Sequence, residues 1–223
     1  MLELKSVSKT LSGERIFENV SLRVGNGELA VILCEDDEQR IILSSLIAGA
    51  ISQSDGAILV NGYNLSKHKY KVAKQIGFIP AEGALYENMS VREFLFFVAE
   101  AKEIPYERIN AKVQEVLELC DLESRADRLS QSLSYSDRRK ALLAQALLGD
   151  VSVLVICEAA DELDVSARKV FSRVIREMLD RTASVVALCR EDLFDADLEK
   201  TVYRLDGISL GDNVTQNTED ERE

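Results

Sequence analysis

Positive charge is scarce in this 223-residue chain: 27 lysines and arginines stand against 39 aspartates and glutamates, a net charge of −12. That balance argues against a general nucleic-acid surface and against direct lipid binding. Long apolar runs are missing too. Stretches such as Phe94 to Ala99 fall far short of the ~18 residues a membrane span needs. The four cysteines form no CxxC pair and read as reduced intracellular thiols. Met1 leads almost directly into Leu2-Glu3-Leu4-Lys5, leaving no room for a signal peptide. The one histidine, His68, sits on a polar stretch and reads as a surface residue. Internal repeats are absent. These absences predict a soluble, cytoplasmic protein, long enough for one full domain with an insertion.

What is present is organised around Glu28 to Ala50. Leu29 to Leu33 reads as a buried strand, followed by a polar turn and a helix with an apolar stripe through Ile41, Ile42, Leu46 and Ile47. This is the frame of a P-loop, GxxxxGK[ST] between strand and helix. The loop here is Cys34-Glu35-Asp36-Asp37-Glu38-Gln39-Arg40-Ile41, with no glycine between Leu33 and Arg40. Glycines let successive N–H groups turn inward around phosphate. Arg40 replaces the phosphate-reaching lysine, and Ile41 replaces the hydroxyl that ligates Mg²⁺. At about 4 Å and an effective dielectric near 20, each like-charge pair between the four acids and a phosphate costs roughly 4 kcal/mol. The same acids suit the first turn of a helix, with its unpaired N–H groups and partial positive charge. Asp36 with Gln39 three residues on resembles a capping box. A solvated acidic turn is the alternative; a metal site is not expected, because consecutive acids on a turn splay apart.

The remaining chain alternates strands and helices. Leu2 to Val7 and Asn19 to Val24 read as half-buried strands, with turns at Gly13-Glu14 and Gly25-Asn26-Gly27. Ala57 to Val60 and Ile76 to Ile79 are further strands. From Ala81 to Asp137 the pattern becomes helical. Ser90-Val91-Arg92-Glu93 forms a capping box, and Pro105 opens a second helix. A third helix runs from Ser136 to Leu148. Val151 to Ile156 and Ser184 to Leu188 read as strands around a helix at Ser166 to Leu179, which argues for a parallel sheet covered on both faces. A short helix is expected at Asp192 to Glu199, then a hairpin from Val202 to Leu210. Residues 211–223 read as a disordered acidic tail.

Three stretches carry a family resemblance: Gly56 to Gly62 (GAILVNG), Ile76 to Pro80 (IGFIP) and Ala84 to Glu93 (ALYENMSVRE). With Leu133-Ser134 and Leu163-Asp164 in register, the chain resembles the ATP-binding subunit of an ABC transporter over Leu2 to Leu210. It is similar to those that pair with ABC-2-type export permeases. The resemblance implies an α/β fold: a P-loop NTPase (RecA-like) core with an N-terminal antiparallel β subdomain and a helical subdomain at about 81–137.

Carried over position by position, the family's site residues are mostly replaced. The adenine-stacking aromatic falls near Leu11. The Walker A positions are Arg40 and Ile41. The Q-loop glutamine falls at Ala81, beside Glu82. The signature reads Leu133-Ser134-Tyr135-Ser136-Asp137, of which Leu133 and Ser134 remain. Cys157 takes the Walker B aspartate position and Arg190 the switch-histidine position. Glu158 matches the general base, and the D-loop survives as Leu163-Asp164. The resemblance therefore implies a pseudo-ATPase, a structural or regulatory partner of a membrane permease, peripheral at the inner face of the cell membrane. A homodimer, or a heterodimer with another ATP-binding subunit, is implied as well. Neither metal nor cofactor is expected; ATP and Mg²⁺ enter only under the alternative of a working ATPase with an unconventional site. Leu85, Tyr86, Phe94 and Phe97 offer apolar surface to a permease, or else fill the core of the helical subdomain.

Two placements follow for testing. Cys34, Cys157 and Cys189 each end a predicted strand, and the family's strand order puts them at one sheet edge, clustered in a vacated pocket. Small buried hydrophobes explain them better than a metal or redox site. Glu158 is expected to pair with Arg190, or failing that with Arg40, and so close the site. The alternative is that Arg190 pairs at the surface with Glu191 or Asp192.

Overall fold

The computed structural model describes residues 1–83, 85–157, 163–192, 194 and 197–211. Two sheets share one body. β1 (Leu2–Leu11) and β2 (Glu14–Val24) form a long antiparallel hairpin, joined on its far side by β4 (Asp55–Val60) and β5 (Tyr63–Asn64) in the order β2-β1-β4-β5. Both hairpin strands outrun the alternating segments legible in the sequence. Register shifts within β1 between Leu4 and Thr10 break the alternation where the strands continue. Gly56 adopts φ +82°, and a Cβ there would come within 2.3 Å of the Ser6 carbonyl oxygen. Only glycine lets β4 approach β1 so closely.

The second sheet has the order β10-β9-β3-β8-β7-β6. β3 (Leu29–Leu33), β6 (Ile76–Ile79), β7 (Val153–Cys157), β8 (Ser184–Cys189) and β9 (Thr201–Asp206) are parallel, and the short β10 (Ser209–Leu210) turns back on β9. β7 and β8 are buried along their whole length, as continuous apolar strands in a doubly covered sheet must be.

The helices divide between the two faces. α1 (Asp37–Ile47) lies in the core shared with the antiparallel sheet, with Leu43, Leu46 and Ile47 against Ile32, Val153 and Val186. The other face carries α3 (Val91–Ala101), α4 (Tyr106–Leu119), α5 (Tyr135–Ala146) and α6 (Val165–Asp180). α3 begins with the expected capping box: Glu93 N–H donates to Ser90 Oγ and Ser90 N–H to Glu93 Oε2. A five-residue helix, α2 (Lys69–Ala73), was not evident in the sequence; only Val72 in it is buried. Residues 193, 195 and 196 of the expected helix at Asp192 to Glu199, and the tail from 212 onward, lie outside the described residues.

Candidate functional site

At the C-terminal end of β3 the chain turns through Cys34, Glu35 and Asp36 into α1. Asp36 caps the helix by accepting the Gln39 N–H at 2.9 Å. The box expected there is half made. Gln39 sends its side-chain Nε2 to the Gly207 carbonyl at 2.9 Å, in the β9–β10 turn. Its Oε1 accepts from the Cys34 thiol at 3.6 Å. Loop and C-terminal hairpin are thereby stapled together.

Arg40 folds back under the loop. It is only 2% exposed and donates to the Cys34 carbonyl oxygen and to the Asp37 carboxylate. The same Asp37 Oδ1 accepts from Arg190 Nη2 at 2.9 Å. Asp37 thus bridges the first turn of α1 to the end of β8. The Arg190 guanidinium, with Arg40 behind it, holds this carboxyl below the usual carboxylate range. Ile41 lies half-exposed on the helix surface, and its carbonyl accepts from Ser44 Oγ at 3.0 Å.

The surface alternative for Arg190 is thus corrected. Its described ion pair is with Asp37, not with Glu191 or Asp192; Asp192 pairs instead with Lys200 at 2.9 Å. Glu158 lies outside the described residues. The signal available in sequence for Asp37 was its position three before Arg40 in a first helical turn, a spacing that brings side chains together. Beside the loop opens a cleft of about 310 Å³, lined among others by Cys34, Gln39, Arg190, Arg204 and Asp206.

The cysteine placement holds for the backbone and changes for the side chains. β8 lies between β3 and β7, and Cys34 N–H donates to the Cys189 carbonyl at 3.0 Å. Side chains alternate faces along each strand. Cys34 belongs to the core under α1 and Cys189 to the core on the opposite face. Cys157 alternates with Val153 and Val155, which puts it on the Cys34 side. The three thiols therefore do not share one pocket, because the sheet separates Cys189 from Cys34 and Cys157. Burial pushes the Cys34 thiol pKa up. Among the described residues no group of three or more His, Cys, Asp or Glu is placed to hold a metal ion.

The start of α5 forms the second half of the region. Leu133 is buried, and Ser134 caps the helix by accepting the Asp137 N–H at 3.1 Å. Ser136 Oγ accepts the Asp164 N–H at 3.0 Å, and Asp164 in turn caps α6 through the Ala167 N–H at 2.8 Å. Arg139, 2% exposed, donates to the Pro80 and Ala81 carbonyls at 2.6 and 3.1 Å and to the Cys157 carbonyl at 2.8 Å. It gathers the ends of β6 and β7 onto α5. Sequence reasoning missed this residue, since an arginine in an RRK run reads as surface. Leu85 and Phe94 are buried, whereas Tyr86 and Phe97 are 53% and 43% exposed with their rings edge-to-face at 5.3 Å. Phe97, legible as core, is surface.

A strand–turn–helix at the centre of a parallel sheet, flanked by an antiparallel sheet and a helical layer, defines the class of P-loop NTPase domains. Residues 17–161 match the ABC transporter family model, and the chain belongs to that family. It is 31% identical over 179 residues to the sulfate/thiosulfate import ATP-binding protein CysA of Thermosynechococcus vestitus, covering 80% of this chain and 53% of that protein. The chain thus spans about half the length of the curated relatives it matches. Among solved structures it superposes on an ATP-binding subunit of an ABC transporter with a TM-score of 0.86 at 21% identity, covering 97% of this chain and 90% of that one. A dimeric bacterial ABC transporter cassette, MJ0796, gives 0.82 at 17% identity, covering 96% and 97%. At those identities the structures speak for the fold alone.

Proposed function

We propose that this chain is an ABC-type ATP-binding subunit that has given up ATP hydrolysis. It serves as a structural or regulatory partner of a membrane permease, at whose cytoplasmic side it sits. The observation that carries the reading is the occupancy of the α1 N-terminus by the chain's own acids. Asp36 takes the Gln39 N–H, and Asp37 takes both Arg40 and Arg190. Arg40 and Arg190, the cations at the loop and at the end of β8, already hold a carboxylate.

The residues present do not fit a Mg-nucleotide. Ile41 offers no oxygen to a metal, Arg40 points beneath the loop, and Glu35, Asp36 and Glu38 stand exposed where a polyanion would lie. We assign no step to Glu158 or to any nucleotide. Residues 1–210 act as the unit, and Leu133 and Ser134 keep a helix cap rather than a phosphate contact. Exposed Tyr86 and Phe97 supply apolar surface for the permease. A dimer with a second copy, or with another ATP-binding subunit, fits the same reading.

Titration calorimetry with Mg-ATP is the direct test, with no binding below the millimolar range as the expected result. Micromolar binding overturns the proposal and restores the working-ATPase alternative. For docking, the Tyr86→Ala/Phe97→Ala double substitution should lower recovery of the chain with its permease while its melting temperature stays unchanged.

A further inference from the structure

No acidic residue occurs between Asp55 and Glu82, although the chain has 39 of them. Into that interval fall Lys67, His68, Lys69, Lys71 and Lys74, all on or beside α2. The first four are exposed and Lys74 partly so. Aromatic rings hold two of these lysines in place. Lys71 Nζ stands 3.6 Å from the Tyr63 ring centre and Lys74 Nζ 4.3 Å from that of Tyr70, and His68 meets Tyr63 edge-on at 5.8 Å. A ring face orients an ammonium without neutralising it.

The patch continues into a cleft. Tyr70 Oη and Lys74 Nζ both donate to Glu103 in the α3–α4 connection, the lysine at 2.7 Å. Beyond that contact lies a concavity of about 320 Å³, walled by Lys74, Lys102, Arg108 and Lys112, with Glu103 and Asp150 as its acids. Lys102 is committed to the Gln145, Ala146 and Leu148 carbonyls, and Lys112 to Glu115. The ion pairs among the described residues leave Lys67, Lys69, Lys71 and Arg108 without a carboxylate.

We propose that this face and its cleft dock an extended acidic segment of a partner protein. The charge of the patch is opposite to that of the chain around it, so an anionic segment is drawn here and repelled elsewhere. Concavity favours a peptide over a bilayer, since a flat headgroup surface cannot enter a cleft between α2 and the α3–α4 connection. Tyr63, Tyr70 and Tyr106, exposed by 41, 64 and 78%, supply rigid contact area, and the Tyr106 hydroxyl a donor for carboxylates.

The test is fluorescence anisotropy of a labelled glutamate-rich peptide titrated with the intact chain. Saturable binding is expected, weakening as salt is raised. Lys67→Glu/Lys69→Glu/Lys71→Glu together should weaken it by about tenfold to hundredfold, because each exposed charge pair contributes a few-fold. All three lysines are exposed, so the melting temperature should not move. Lys5→Glu/Arg15→Glu/Arg23→Glu, on the antiparallel sheet, should leave the affinity unchanged. An equal loss from both triple variants, or no saturable binding, overturns the proposal. Tighter binding to phosphatidylserine vesicles than to the peptide, lost in the same α2 variant, overturns it in favour of a membrane contact.

Discussion

The starts of α1 and α5 are built from the same parts and differ in what burial does to them. Each begins with a side-chain cap, from Asp36 and Ser134 respectively, and each places a buried arginine within its first turns. Arg139 donates to three main-chain carbonyls contributed by the ends of β6 and β7. Arg40 donates to one carbonyl and to Asp37, which is itself exposed and shared with the exposed Arg190. The α5 seam joins main-chain carbonyls that are buried or partly buried; the α1 loop adds to one buried carbonyl a carboxylate open to water. Removing a group from a sealed joint strands its partners, whereas water replaces a partner lost at the surface.

The largest expected effect is therefore at Arg139. Arg139→Ala leaves one buried and two partly buried carbonyls without their donor and should destabilise the fold by about 4 kcal/mol, read from urea unfolding midpoints at constant slope. A loss no larger than that of Arg40→Ala would erase the contrast between the two helix starts.

Lys102 tests the sealed side by pH. Burial lowers its pKa to about 8, so the unfolded chain holds this proton between pH 8 and the model-peptide value near 10.4 while the folded chain has released it. Stability from this group should rise with pH through that window, by on the order of 3 kcal/mol, and stay flat below it. Lys102→Met should remove the rise; parallel curves for variant and wild type would show that the site is wetter than its burial implies.

Arg40→Ala should cost about 2 kcal/mol or more, the stranded Cys34 carbonyl and the volume left behind both contributing. The smallest effect belongs to Asp37. Its carboxyl is held low by Arg190 and Arg40, so its contribution is present above the unfolded carboxylate pKa and fades as pH falls through the folded one. Because the group is exposed, Asp37→Asn should melt within the scatter of replicate scans. A clear drop would mean that the loop is as sealed as the α5 seam.

This contrast also separates what was legible in the sequence from what was not. The strands β3, β7 and β8, the Ser90 capping box and the helix start at Pro105 follow from local periodicity and cap chemistry, and they stand in the structure. So does the order of β3, β8 and β7, which rested on family resemblance. Contacts between residues distant in the chain left no such trace. Gln39 bonds a residue 168 positions away and Arg190 one 153 positions away. Arg139 was unreadable because burial of a guanidinium depends on where carbonyls gather in three dimensions. The cysteines were read correctly as strand ends, but their facing depends on register, which changes side with a single residue.

The central sheet has a mechanical consequence. Each of β3, β7 and β8 sends alternate side chains into both hydrophobic cores, so Ile32 and Val186 lie in one while Val31 and Ala187 lie in the other. Neither core can be dismantled without pulling apart strands that the other needs. The antiparallel sheet and the helical layer, separate as they look, thus have no independent melting point: they share one backbone ladder and should be lost in one cooperative step.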